Sequence, residues 1–119
     1  TGSLEGRHAI YKRLLTRRDI MVAALNRIPG VTCPTPEAGL FCFPDISAIG
    51  MTDHDFVDFC LEEAKVACLA GSMFGDGGGG HVRIAFGKRS TDDLQAAVER
   101  IGRALAGRSD RIALVGGHD

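Results

Sequence analysis

Gly71-Ser-Met-Phe-Gly-Asp-Gly-Gly-Gly-Gly-His-Val-Arg-Ile-Ala-Phe-Gly87 joins a glycine-dense loop to a short alternating segment. Side chains alternate along a strand, so Val82, Ile84 and Phe86 share one face while His81, Arg83 and Ala85 share the other. One face can pack while the other presents a guanidinium. The loop invites comparison with phosphate-binding loops but lacks their context. The nucleoside-triphosphate version ends in Gly-Lys-Ser/Thr before a helix, and the dinucleotide version runs strand, GxGxxG, helix. Here the glycines precede a strand. Such a run suits mobility, or close passage of backbone, better than a rigid phosphate cradle.

On either side of this stretch the pattern changes. Upstream, Lys65-Val-Ala-Cys-Leu69 reads as a short strand, and Thr52 as the N-cap of a helix running to about Ala64. Within that helix Phe56 and Phe59 stand at core spacing. Downstream, Ser90 or Thr91 caps a final helix with Asp92 and Asp93 in its first turn, where carboxylates meet exposed amides. Leu94, Ala97, Val98, Ile101, Ala104 and Leu105 form its buried stripe.

The chain opens with a long amphipathic helix from about Glu5 to Arg27, its stripe marked by Ile10, Leu14, Met21, Ala24 and Leu25 and continued by Ile28. Pro29-Gly30 stops it. A partner outside this chain is expected to cover whatever part of that stripe the domain leaves bare. Val31-Thr-Cys33 and Leu40-Phe-Cys-Phe43 read as short strands around a stiff Pro34-Thr-Pro36 turn. The order helix, strand, helix, strand, strand, helix predicts an α+β two-layer domain: a small antiparallel or mixed sheet covered by helices.

The 119 residues suffice for one domain with a modest core. A 45% hydrophobic content and a mean hydropathy of +0.04 favour folding over disorder. The net charge of −1 gives no general pull toward nucleic acid or an anionic membrane, and no apolar run is long enough to span a bilayer. Cys33, Cys42, Cys60 and Cys68 have no CxxC spacing; they are expected to be free thiols in a reducing, cytoplasmic setting and not metal ligands. Asp53, Asp55 and Asp58 make an acidic helix start without the spacing of a calcium loop.

Arg83 either snorkels to the surface or meets an anion. If it binds, guanidinium geometry favours bidentate recognition of a carboxylate or phosphate. His81 shares its face and reads as solvent-facing or structural. No complete catalytic apparatus is visible: Cys42 or Cys68 could be a nucleophile, yet nothing places a base beside either.

Several pieces, in order, resemble the C-terminal part of class I/II aminotransferases, pyridoxal-phosphate enzymes of fold type I. They are Tyr11-Lys-Arg-Leu-Leu-Thr-Arg-Arg-Asp19, Leu25-Asn-Arg-Ile-Pro-Gly30, Pro36-Glu-Ala-Gly-Leu-Phe-Cys-Phe-Pro-Asp45, Ala70-Gly-Ser-Met-Phe-Gly75 and Val82-Arg-Ile-Ala-Phe86. The resemblance spans about residues 8 to 106 and implies that Arg83 binds the α-carboxylate of an amino-acid or 2-oxo-acid substrate. It implies that Gly39 leaves room near the substrate, and that Phe74 and Gly75 form a structural turn beside the site. No role is implied for His81. The run Asp76 to Gly80 is more glycine-rich than the family pattern, and higher loop mobility is expected there.

In this family the cofactor forms a Schiff base with a lysine of the large domain and acts as electron sink. Lys12, Lys65 and Lys88 stand in no matching motif. The chain is therefore expected to be a fragment holding the small domain, inactive alone, with residues 1–7 a flexible start, 8–107 the domain and 108–119 a tail or a short extra element. In the parent enzyme, expected to be a homodimer, this domain would supply the carboxylate clamp and close over the substrate. Two other functions fit the same residues: a non-catalytic α+β module using Arg83 as an anion contact, or the small domain of a fold type I decarboxylase, synthase or lyase.

Overall fold

The computed structural model describes residues 3–36, 39–87 and 90–116. Its elements, in chain order, are α1 (Ser3–Asn26), β1 (Phe41–Cys42), α2 (Asp53–Phe59), β2 (Leu69–Ala70), β3 (Val82–Ala85) and α3 (Thr91–Gly116). The sheet order is β1-β3-β2 with both pairings antiparallel, so the strand carrying Arg83 lies at the centre. Register sets Phe41 opposite Ala85, Cys42 opposite Ile84, Leu69 opposite Arg83 and Ala70 opposite Val82. An α+β domain with helices over one face of a small sheet is what the patterning predicts.

Alternation sorts the sheet into two unlike faces. Cys42, Ala70, Val82, Ile84 and Phe86 are buried and join Met21, Leu25, Phe56, Leu94, Val98 and Ile101 in one core. Each fully covered aliphatic or aromatic side chain there contributes about 1.5–3 kcal/mol. The opposite face keeps Phe43, Leu69 and Ala85 exposed and Arg83 half-buried.

The helices keep their predicted caps. Thr52 Oγ1 accepts from the Asp55 amide at 3.1 Å, and Ser90 Oγ from the Asp93 amide at 3.2 Å. Ser90, not Thr91, is thus the cap of α3. Phe56 is buried and Phe59 partly so, both against the core as expected.

Several boundaries differ from expectation. Residues 3–7 belong to α1 and 108–116 to α3, where a loose start and a tail were expected. One glycine inside a helix, Gly107, costs only about 1 kcal/mol and is no stop signal without a cap beyond it. Residues 1–2 and 117–119 lie outside the described residues. The Val31–Cys33 strand reduces to a bridge between Thr32 and Asp45. The strand expected over 65–69 begins at Leu69, because α2 continues as a π turn, Cys60–Ala64, and leaves it through Lys65 at φ 59°. The stripe of α1 is covered from Met21 to Ile28 only, with Ile10 58% exposed.

All four cysteines are free and buried. They meet in pairs, Cys33 with Cys42 and Cys60 with Cys68. These contacts, followed by burial, push the Cys42 and Cys60 thiols well above their ordinary range. Cys42 is fully buried, so no substrate reaches its thiol in this arrangement.

Candidate substrate-carboxylate site

Arg83 stands at the middle of the open sheet face because it occupies the outward phase of the central strand, between the inward Val82 and Ile84. Its guanidinium carbon lies 3.7 Å from the centroid of the Phe41 ring and 4.6 Å from that of Phe74. Phe41 comes from β1; Phe74 comes from the Gly71–Phe74 turn that follows β2. A cation over ring faces is attracted by the ring quadrupoles, by about 0.5–1 kcal/mol per contact at exposed sites. The two rings therefore hold the planar group without neutralising it.

Among the described residues, Arg83 Nε is the buried side-chain polar atom without a hydrogen-bond partner. Leaving such a donor unmet costs about 1–3 kcal/mol. The charge is thus carried unpaired beside exposed apolar groups, a setting in which an anion gains more than it would in water.

The turn that carries Phe74 is tied down on several sides. Gly71 donates its amide to the His81 carbonyl at 2.7 Å, and Ser72 its amide to Asp53 Oδ2 at 2.8 Å. Ser72 Oγ also lies 3.2 Å from His54 Nε2. Ser72 and the His54 amide together hold the Asp53 carboxyl below its ordinary range, against the cost of its burial. Gly71 and Gly78 pass backbone to backbone so closely that a Cβ on either would collide with the other's carbonyl. The loop is further closed by Gly78 N to Gly75 O at 3.0 Å, His81 N to Gly78 O at 3.1 Å and Ile46 N to Gly80 O at 2.8 Å. Of the two roles expected for the glycine run, close backbone passage is the one visible in the geometry.

The other sequence candidates sort out as follows. Gly39, at φ +91°, has open space where a Cβ would stand and borders a cavity of about 230 Å³ with Tyr11, Leu14, Arg18, Leu40 and Phe86. His81 is structural in its contacts: Nδ1 lies 3.0 Å from the Gly79 carbonyl, and Nε2 is 3.9 Å from Asp45 Oδ2. Asp45 is held below the usual carboxylate range by the Ser47 hydroxyl and then its amide. Lys12 faces the start of α3 across a shallow hollow. Lys65 donates to the Glu62 carbonyl at 2.9 Å at the end of the π turn, and Lys88 lies outside the described residues.

Two residues near the site were not singled out as functional. Asp53 reads in the sequence as part of an acidic helix start, and it is only 6% exposed. Its hidden partner, the Ser72 amide, is nineteen residues away and leaves no local signal. Phe41 reads as a core strand residue, and only the strand register places its ring against Arg83.

A family model described as "Aminotransferase class I and II" matches residues 7–101. The aspartate aminotransferase of Pyrococcus horikoshii is 38% identical over 91 residues, covering 76% of this chain and 23% of that protein. The crystal structure of an aromatic aminotransferase from Pyrococcus horikoshii superposes with a TM-score of 0.85 at 33% identity, over 90% of this chain and 28% of that one. A PLP-bound putative aminotransferase from Clostridium difficile gives a TM-score of 0.75 at 27% identity, over 82% of this chain and 25% of that one. The chain thus spans about a quarter of the length of the curated relatives it matches. On the family match, the relatives and the shared fold, this chain belongs to the class I and II aminotransferases.

Proposed function

We propose that this chain is the C-terminal small domain of a pyridoxal-phosphate-dependent aminotransferase and that Arg83 binds the substrate α-carboxylate. The observation that carries the proposal is the guanidinium held against Phe41 and Phe74, its Nε buried and without a hydrogen-bond partner among the described residues. Two rings pack against the guanidinium and Nε is buried, which leaves the Nη groups for an acceptor. A carboxylate meets them through two parallel hydrogen bonds, so its plane is set by the plane of the arginine. Orientation of this kind fixes where the substrate Cα stands relative to the reacting groups. Gly39, with open space where a side chain would stand, is taken in this proposal to leave room near the substrate.

Among the described residues, none is brought to Arg83 that would form a cradle for the cofactor. The open face offers one guanidinium and aromatic rings, while Lys12 and Lys65 are exposed elsewhere. The amine and the phosphate ligands belong, on this proposal, to the large domain. Family membership supports an amino acid and a 2-oxo acid as the substrates of the whole enzyme. A homodimeric, cytoplasmic parent completes the proposal.

The test is Arg83→Ala in the holoenzyme that carries this domain. A charge-assisted bidentate contact of about 1.5–3 kcal/mol predicts a loss of roughly 10–100-fold in kcat/KM. Arg83→Lys is expected to recover little, because an ammonium cannot reproduce the planar fork. Unchanged kcat/KM in Arg83→Ala would refute the carboxylate role.

A further inference from the structure

Asp53 is the buried charged side chain among the described residues, and its position is not explained by capping alone. Thr52 already caps α2, its hydroxyl accepting from the Asp55 amide. Asp53 instead turns its two oxygens to different amides: Oδ1 accepts from His54 at 2.9 Å and Oδ2 from Ser72 at 2.8 Å. The second bond leaves the helix and fastens the Gly71–Phe74 turn. Phe74 lies two residues beyond that anchor, over the guanidinium of Arg83. Beyond Phe74 the chain turns away through Gly75 at φ +133°, a conformation open to glycine and strained for other residues. The ring is thus held from its N-terminal side, where Asp53 grips the backbone.

We propose that Asp53 is a positioning residue for Arg83: by holding the Ser72 amide it keeps Phe74 on the guanidinium and so sets the plane in which Arg83 meets a substrate carboxylate. This rests on the carboxylate role of Arg83 proposed above. Without the anchor, the turn loses the bond that fixes Ser72, and Phe74, already 48% exposed, is free to swing outward. Arg83 then keeps its contact with Phe41 and loses the one with Phe74. The guanidinium samples more orientations, and fewer of them suit a bidentate partner. His54 steadies the arrangement from outside, its Nε2 within 3.2 Å of Ser72 Oγ.

The experiment uses the holoenzyme that carries this domain. Binding is measured calorimetrically with the 2-methyl analogue of the amino acid that the unmodified enzyme turns over fastest. This ligand keeps the carboxylate and has no Cα proton to lose. Asp53→Ala should raise its Kd about tenfold, with KM rising in parallel and kcat falling less. Asp53→Asn, which can still accept from the Ser72 amide, should keep most of the affinity. Phe74→Leu should weaken binding similarly, and adding Asp53→Ala to it should cost little more, because both act through one contact. Unchanged Kd in Asp53→Ala, or losses that multiply in the double variant, would overturn the proposal. Should Asp53→Ala fail to fold, an unchanged Kd in Phe74→Leu overturns it equally. Arg83→Ala separates the two levels. If it leaves Kd unaltered, the carboxylate role itself fails; if it raises Kd while Asp53→Ala does not, only the positioning role fails.

Discussion

Asn26 performs with one side chain the pairing a strand residue makes with its backbone. Its Oδ1 accepts from the Cys33 amide at 2.8 Å, and its Nδ2 donates to the Cys33 carbonyl at 2.9 Å. The end of α1 is thereby fastened to the segment that bridges to Asp45, just past β1. Asn26→Ala leaves both Cys33 groups without a partner in a partly buried place, a loss of about 2 kcal/mol at roughly 1 kcal/mol per bond. Urea unfolding should show this as a lower midpoint with an unchanged slope, and a midpoint equal to that of the unmodified chain would exclude it. In the sequence Asn26 is just a polar residue before Pro29. The same blindness affects Arg17, Arg18 and Arg100, whose partners no local pattern indicates. They donate to the carbonyls of Gly87, Pro36 and Ala64 respectively. Long side chains that reach backbone far along the chain have no signature in local spacing.

Elements were legible where periodicity and capping agreed and illegible where backbone geometry decided. The alternation of residues 81–86 was sufficient to place Arg83 on the open face, since a one-residue slip would have buried the cation and exposed Val82 and Ile84. The end of α2 shows the opposite case. Lys65-Val-Ala-Cys-Leu69 has strand composition, but Val66 donates back to the Cys60 carbonyl at 3.0 Å and Lys65 sits at φ 59°. That exit, not composition, delays β2 to Leu69. A left-handed conformation costs a non-glycine residue about 1–2 kcal/mol. Lys65→Gly removes the cost while adding unfolded-state entropy and losing the exposed bond from Nζ to the Glu62 carbonyl. The net expectation is a gain of about 0.5–1 kcal/mol, read as a higher thermal midpoint. A lower midpoint would mean that the lysine bond outweighs the backbone strain.

At the scale of the whole molecule, the helices leave one side of the sheet uncovered, and that side is the one that carries Arg83. Leu69, Met73 and Phe74 are 44%, 64% and 48% exposed around a half-buried cation, and Ile10 and Tyr11 on α1 are 58% and 59% exposed. Uncovered apolar side chains of this size beside a charged group are expected where another surface completes a site. The relatives carry several times more chain than the part matched here, so the remaining machinery is expected in those regions. It follows that these 119 residues alone, given pyridoxal phosphate, an amino acid and a 2-oxo acid, should show no transamination and no lysine-linked cofactor absorbance. Lys12 and Lys65 are solvated and stand apart from Arg83's aromatic clamp, so a cofactor attached to either would have no carboxylate clamp facing it. Joining the large domain in one polypeptide should restore both signals, and Arg83→Ala should then lower turnover while leaving the cofactor band in place. Turnover by the 119 residues alone, with a band abolished by replacing one of its own lysines, would show that the site is complete within this chain.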